Sequence, residues 1–247
     1  MKKNLFNLFV LLCLSLTMAS CVGDDDPTQY FTSHFVIEGS NPNYVLYSRE
    51  GYTVNLDPTS VASITNNKGF GSNKRGYFTI SYLSDDVVYK PVEGTNSQTV
   101  TINNAKLVGG SYTTVLETMS MSEAEADNLT LPDSIFTVSS IYDCWMQRGY
   151  LNVIIDAYYS INGSGAPVFP TTNIAYRDDA MKENEITFDI LYNRHTKKDA
   201  PSSSSIGRFI TSYYMPDLVY QVPGSDSITV NFKAEGATPV KIKIGRR

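Results

Sequence analysis

The chain has 247 residues, 42% of them hydrophobic and 12% aromatic, with a formal charge of −5. No basic excess is present to hold a phosphate backbone, so nucleic acid is not an expected partner. The 17 Tyr and 11 Phe, set among Val, Ile and Thr, favour a core built on sheets. Of the three cysteines, Cys13 and Cys21 lie near the N-terminus, and Cys144 stands alone in the body of the chain.

Lys2 and Lys3 precede an apolar run from Leu5 to Met18, and the small residues Ala19 and Ser20 come directly before Cys21. A positive end, a short apolar core and a small-residue cleavage site make an export signal. The core is shorter than the roughly 20 residues that a membrane-spanning helix needs. Only a thiol placed directly after the small residues can take a diacylglyceryl thioether, and this arrangement resembles the lipobox of bacterial lipoproteins. Residues 1–20 are therefore read as a lipoprotein signal peptide, and Cys21 as the acylated first residue of the mature chain. One acyl chain binds a membrane weakly and several, palmitate among them, anchor stably. The membrane, reached through lipidated Cys21, is thus the first expected partner. Cleavage removes Lys2 and Lys3, so the charge of −5 becomes −7. It also removes Cys13, and with Cys21 acylated no intramolecular disulfide is expected. Asp24, Asp25 and Asp26 resemble the surface-export signal of Bacteroidota lipoproteins, which implies outer-membrane display. Residues 21–34 are read as an acidic tether.

Residues 35–119 carry short β-type runs. Phe35-Val36-Ile37 and Tyr44 to Tyr47 are separated by turn-forming Gly39-Ser40-Asn41-Pro42. Tyr52 to Leu56 alternates and stops at Asp57-Pro58. Tyr77 to Leu83 is the strongest strand, and Thr99 to Ile102 begins another that continues towards Val108. Five or so short strands in about 80 residues suit an OB-like small barrel. Residues 120–133 are the expected linker, where Ser122 and Glu125 have capping-box spacing and Met121, Ala124, Ala126 and Leu129 could form a short helix ended by Pro132.

Residues 134–247 hold about seven strands without helical interruption. Ile135 to Met146 and Tyr150 to Ile161 are joined at Gln147-Arg148-Gly149, and Leu151, Val153, Ile155, Ala157 and Tyr159 share one face. Glu185 to Arg194 places Ile186, Phe188, Ile190 and Tyr192 on one side. Asn173 to Tyr176 is a brief strand before it, and shorter runs follow from Arg208, Ser227 and Val240. The expected fold class is all-β, an N-terminal OB-like small barrel followed by an antiparallel β-sandwich.

Arg75-Gly76-Tyr77-Phe78-Thr79-Ile80-Ser81-Tyr82 resembles the central strand of the NigD-like lipoproteins of Bacteroidota. Gly149-Tyr150-Leu151-Asn152-Val153 and the stretch from Ile190 to Asp199 resemble two marks of that family's second half, although Asn193-Arg194-His195 stands where members often read Arg-His-Asn. The resemblance implies the same two domains, and it brings no catalytic residues.

A hydrolase would have to use His195 with Asp199 or Asp189, and the Gly-x-Ser-x-Gly elbow is missing, since Gly163-Ser164-Gly165 has the wrong spacing. His34 and His195 lie in different halves, and Asp85-Asp86 and Asp178-Asp179 are adjacent pairs without a calcium-loop pattern, so no metal site is expected. Cys144 reads as a buried, inert thiol. Glycan binding is the harder alternative to dismiss, with Tyr142, Trp145, Tyr150 and Tyr158 as candidate ligand-binding aromatics, Tyr159 beside them and Tyr213 and Tyr214 as a further pair. The expectation is a non-catalytic envelope protein with no cofactor, in a binding or assembly role towards a glycan or an envelope protein partner; the alternative is a glycan-binding or cryptic glycan-hydrolysing surface lipoprotein, which would need two carboxylates facing each other across a cleft.

Overall fold

The computed structural model describes residues 27–126, 138–161, 164–165, 167–168, 171–176, 185–193, 205–215, 227–233 and 240–245. The chain divides into two units between Tyr112 and Thr113.

The first unit contains β1 (Thr28–Ser40), β2 (Asn43–Ser48), β3 (Thr53–Leu56), α1 (Pro58–Ile64), β4 (Arg75–Leu83), β5 (Val87–Pro91) and β6 (Gln98–Tyr112). β1 pairs antiparallel with β2 and β4, β2 with β3, and β4 with β6, and a parallel pairing of β3 with β6 closes the ring. Five strands closed in this order, with a helix between the third and fourth, form an OB-type Greek-key barrel. Closure leaves no free edge in the ring. Its core gathers Phe35, Leu46, Val54, Ile80 and Ile102, each 1% exposed or less. In β6 the inward positions change parity after Ile102, to Ala105 and Leu107. The register against β3 shifts there, and Asn104 takes up a positive φ of 50°, as a bulge requires.

In this unit the bound of the tether needs correction, and a helix and a strand are added to the expected elements. The tether cannot reach residue 34, because β1 begins at Thr28 and Thr28 to Val36 pair residue by residue with Leu83 to Arg75. Thr28 to His34 hold little hydrophobic pattern, and β4 supplies the ladder that orders them; the acidic residues 24–26 and Cys21 lie outside the described residues. Asp57-Pro58 ends β3 by starting α1: Asp57 is the N-cap, its carboxylate accepting from the Thr59 backbone N–H at 2.9 Å, with Pro58 at the first helical position. Val61 of this helix is fully buried against the barrel. The added strand is β5, paired with β6 as a hairpin that extends beyond the ring.

The hydrogen bonds from Thr59, side chain first and then backbone, hold the Asp57 carboxyl below its usual range. A lowered folded-state pKa stabilises above the unfolded value and loses that contribution as pH falls through the folded one. Asp57→Ala is expected to cost about 1 kcal/mol at neutral pH. The gap to the parent chain should narrow below about pH 4. Urea titrations at pH 7 and pH 3 check both, and an equal gap at the two values would exclude the charged cap.

The second unit contains β7 (Thr114–Glu117), β8 (Met119–Ser120), α2 (Met121–Ala126), β9 (Val138–Gln147), β10 (Tyr150–Ile161), β11 (Pro167–Val168), β12 (Thr171–Tyr176), β13 (Glu185–Asn193), β14 (Ser205–Tyr214), β15 (Ser227–Lys233) and β16 (Val240–Gly245). One sheet is built on β9, β10, β14 and β7, with β11 at the end of β10; the other runs β16-β15-β13-β12-β8. Leu151, Val153, Ile155 and Ala157 of the first sheet share a core with Ile174, Ile186 and Phe188 of the second, which makes a sandwich. The hydroxyl of Tyr213 on β14, pushed up in pKa by burial, donates to the Thr172 carbonyl on β12 at 2.6 Å and ties the sheets together. β9 and β10 meet at a two-residue turn, Arg148-Gly149, where φ is 49° and 80°. Positive φ at both central positions is the type I′ pattern that suits strand twist.

The sandwich is not purely antiparallel: β7 with β14, β8 with β12 and β13 with β15 pair parallel. Residues 113–119, assigned by sequence to the barrel domain, therefore belong to the sandwich, where β7 joins one sheet and β8 the other. Strands of four and two residues are too short to carry a readable period. Nor are residues 120–126 a linker: Ser120 ends β8 and α2 follows it inside the second unit, while 127–133 lie outside the described residues. The capping box of α2 uses Ser120 and Glu123 in place of Ser122 and Glu125: the Glu123 backbone N–H donates to Ser120 Oγ at 3.2 Å, and the Ser120 N–H to Glu123 Oε2 at 2.7 Å. Both pairs fit the spacing, and burial of Ala124 together with pairing of β8 selects the earlier one.

Candidate functional site

Because odd-numbered residues of β10 fill the core, the even-numbered ones face away from it. The ladder sets Tyr150, Asn152, Ile154 and Asp156 opposite Tyr214, Ser212, Ile210 and Arg208 of β14. At one end, the Arg208 guanidinium grips the Asp156 carboxylate with two hydrogen bonds, Nε to Oδ1 at 2.8 Å and Nη2 to Oδ2 at 3.1 Å. The bidentate fork fixes the plane of the guanidinium. That plane lies over Tyr142 of β9, with Cζ 3.4 Å from the ring centroid, a cation–π arrangement. The Asp156 hydrogen bond raises the Arg208 pKa further, so this charge is permanent.

In the middle, Asn152 and Ser212 are fully buried although they lie on the outward side of the sheet. Ser212 Oγ donates to Asn152 Oδ1 at 2.6 Å, and Asn152 Nδ2 donates to the carbonyls of Trp145 and Tyr150 at 3.2 and 3.3 Å. Such a satisfied network locks three strands in one register. At the other end, the rings of Tyr150 and Tyr214 lie 5.1 Å apart.

The four candidate aromatics thus separate. Tyr142 is 59% exposed, whereas Trp145 and Tyr150 are buried at 8% and 9% and offer no free ring to a ligand. The side chain of Tyr158 lies outside the described residues. Tyr214, 41% exposed, belongs with Tyr142 on this face, while its neighbour Tyr213 is core. Alternation along β14 separates these two, a signal available in the sequence. Arg208 and Asp156 carried no motif that marked them.

Cys144 is buried in the sandwich core. Asp189 is half-buried on β13, and His195 and Asp199 lie outside the described residues. His34 packs its ring 4.7 Å from Tyr77 on the barrel. Asp86 accepts from Asn104 at 3.0 Å at the start of the β5 hairpin. Among the described residues no group of three His, Cys, Asp or Glu side chains could hold a metal ion, and no helix is long and apolar enough to cross a membrane.

Fold and site together define a two-domain, all-β protein: an OB-type barrel followed by a β-sandwich that displays a fixed aromatic and charged face. Solved structures share this fold across nearly the whole chain. A candidate lipoprotein of Bacteroides fragilis aligns with TM-score 0.57 and 8% identity, covering 89% of this chain and 99% of its own. A candidate toxin-related protein of Parabacteroides distasonis aligns at 0.50 and 17%, covering 87% and 93%. A NigD-like immunity protein of Bacteroides caccae is also similar, at 0.45 and 13%, covering 92% and 100%. No family model and no curated protein matches the sequence.

Proposed function

We propose that this chain is a lipid-anchored envelope protein of the NigD-like kind, displayed at the outer membrane, and that it binds a partner without catalysing a reaction. The lipobox-like run before Cys21 supports the anchor, and the candidate lipoprotein of the same fold is in keeping with it. The observation that carries the binding role is the preset clamp of Tyr142, Arg208 and Asp156, which holds an exposed ring in one orientation. An ordered aromatic beside paired charges suits a neutral glycan, which stacks its apolar face on a ring and satisfies its hydroxyls at the charges.

Cys21→Ser is expected to move the protein from the membrane pellet to the soluble fraction, because the anchoring chemistry sits on that thiol. Persistence in the pellet after a high-salt wash would sink the anchor. Replacing Asp24, Asp25 and Asp26 by Ala is expected to reduce cleavage by external protease at equal expression, and unchanged cleavage would reject surface export by that run. For the ligand, Tyr142→Ala should abolish retention on a glycan array while leaving the circular dichroism intact; equal retention by the two proteins would remove the glycan reading.

A further inference from the structure

The β5–β6 hairpin alters one end of the barrel. Ile102 of β6 is core, and alternation puts Val100 on the same face. Val87 stands opposite Ile102 and Tyr89 opposite Val100, and directly opposed side chains share a face. Tyr89, 60% exposed, therefore lies on the side of the hairpin that continues the barrel interior. Val87 and Val100 pack half-buried against the core there, as do Phe31 of β1 and Tyr52 just before β3. The Phe31 and Tyr52 rings are 5.3 Å apart. Tyr82, near the end of β4, is buried in the same core.

A carboxylate stands at this end as well. Glu50, in the turn between β2 and β3, accepts a 2.6 Å hydrogen bond from the hydroxyl of Ser33, itself buried on β1. Burial first, then the charge of Glu50 and the hydroxyl of Tyr89, raise the pKa of Tyr52. Burial, with Tyr89 and Tyr52 in turn, does the same for Tyr82. Three rings, those of Phe31, Tyr52 and Tyr89, and one tethered carboxylate are thus grouped where the barrel meets solvent, with Tyr82 in the core.

We propose that this end of the barrel binds an alkylammonium group, with its stem among Phe31, Tyr52 and Tyr89 and its charge facing Glu50. Ring faces attract a cation and repel an anion, and partial burial strengthens the attraction. The carboxylate adds a charge partner that Ser33 holds in place, so little side-chain freedom is lost on binding. The chain's net negative charge favours a cation in the same sense. The site is built from residues of the first unit alone and does not depend on the role given to the sandwich face.

Ligand-observed NMR titration of the purified full chain tests this, with n-butylammonium as the probe and 1-butanol and butyrate as its neutral and anionic counterparts. Butylammonium is expected to bind about tenfold more tightly than butanol, with butyrate weaker still. Glu50→Gln keeps an acceptor for Ser33 and should weaken butylammonium about tenfold while leaving butanol unchanged. Tyr89→Ala, at an exposed position, should weaken butylammonium as well. Equal affinity for butanol or butyrate, or an unchanged affinity in either variant, would overturn the proposal.

Discussion

Phe188→Ala is expected to destabilise the sandwich by about 3–5 kcal/mol, the usual cost of emptying a fully buried phenylalanine site. Phe188 is 0% exposed on β13, and it packs in the core that Leu151, Val153 and Ile155 of the facing sheet complete. For a unit of this size the melting midpoint should fall by about 10–20 °C. The chain's one tryptophan, Trp145, lies on β9 of the opposite sheet, so its fluorescence reports whether a defect in one sheet unfolds the other. A midpoint that stays within about 3 °C of the parent's would mean that the sheets do not share a cooperative core.

Gly110→Ala is expected to cost the barrel about 2–4 kcal/mol, through backbone strain and overpacking together. Gly110 has φ of +147°, and an added Cβ would run into the Tyr77 carbonyl and lie 2.7 Å from Phe78 Cα, where β4 and β6 pair. Backbone atoms inside a closed ring cannot move aside cheaply. Gly94 provides the comparison: it has φ of +75° and open space around it, so Gly94→Ala should cost only about 1 kcal/mol, from conformation alone. Amide exchange along β4 and β6 reads the difference. Equal protection in the two variants would mean that packing at Gly110 contributes nothing.

Where one face of a strand is wet and the other dry, the pattern of residues was enough. The alternation of Leu151, Val153, Ile155 and Ala157 picked out β10 and its inward face, and Ile186 with Phe188 did so for β13. Gln147-Arg148-Gly149 was recognisable as the join between two strands because its chemistry is local, and the structure narrows the turn to Arg148-Gly149. Helix α1 was legible in principle, since Asp followed by Pro is an N-cap and first-turn signal as well as a strand stop. The two readings differ only in whether the next residues find something to pack on, and Val61 does.

Export chemistry is written in a linear order of charges, apolar residues and one thiol, so the sequence by itself determined the expected address; strand periodicity by itself determined an all-β chain in two parts. Closure of the barrel through β3 and β6, the parallel pairings of the sandwich and the assignment of 113–119 to it needed the tertiary structure. So did the sorting of the aromatics. Period tells which face of a strand a side chain occupies, but not what covers that face. Asn152 and Ser212, on the outward side of their sheet, are as buried as the core, while Tyr142 on the neighbouring strand is open to solvent. Burial is set by neighbours far along the chain, and no local pattern of residues encodes them.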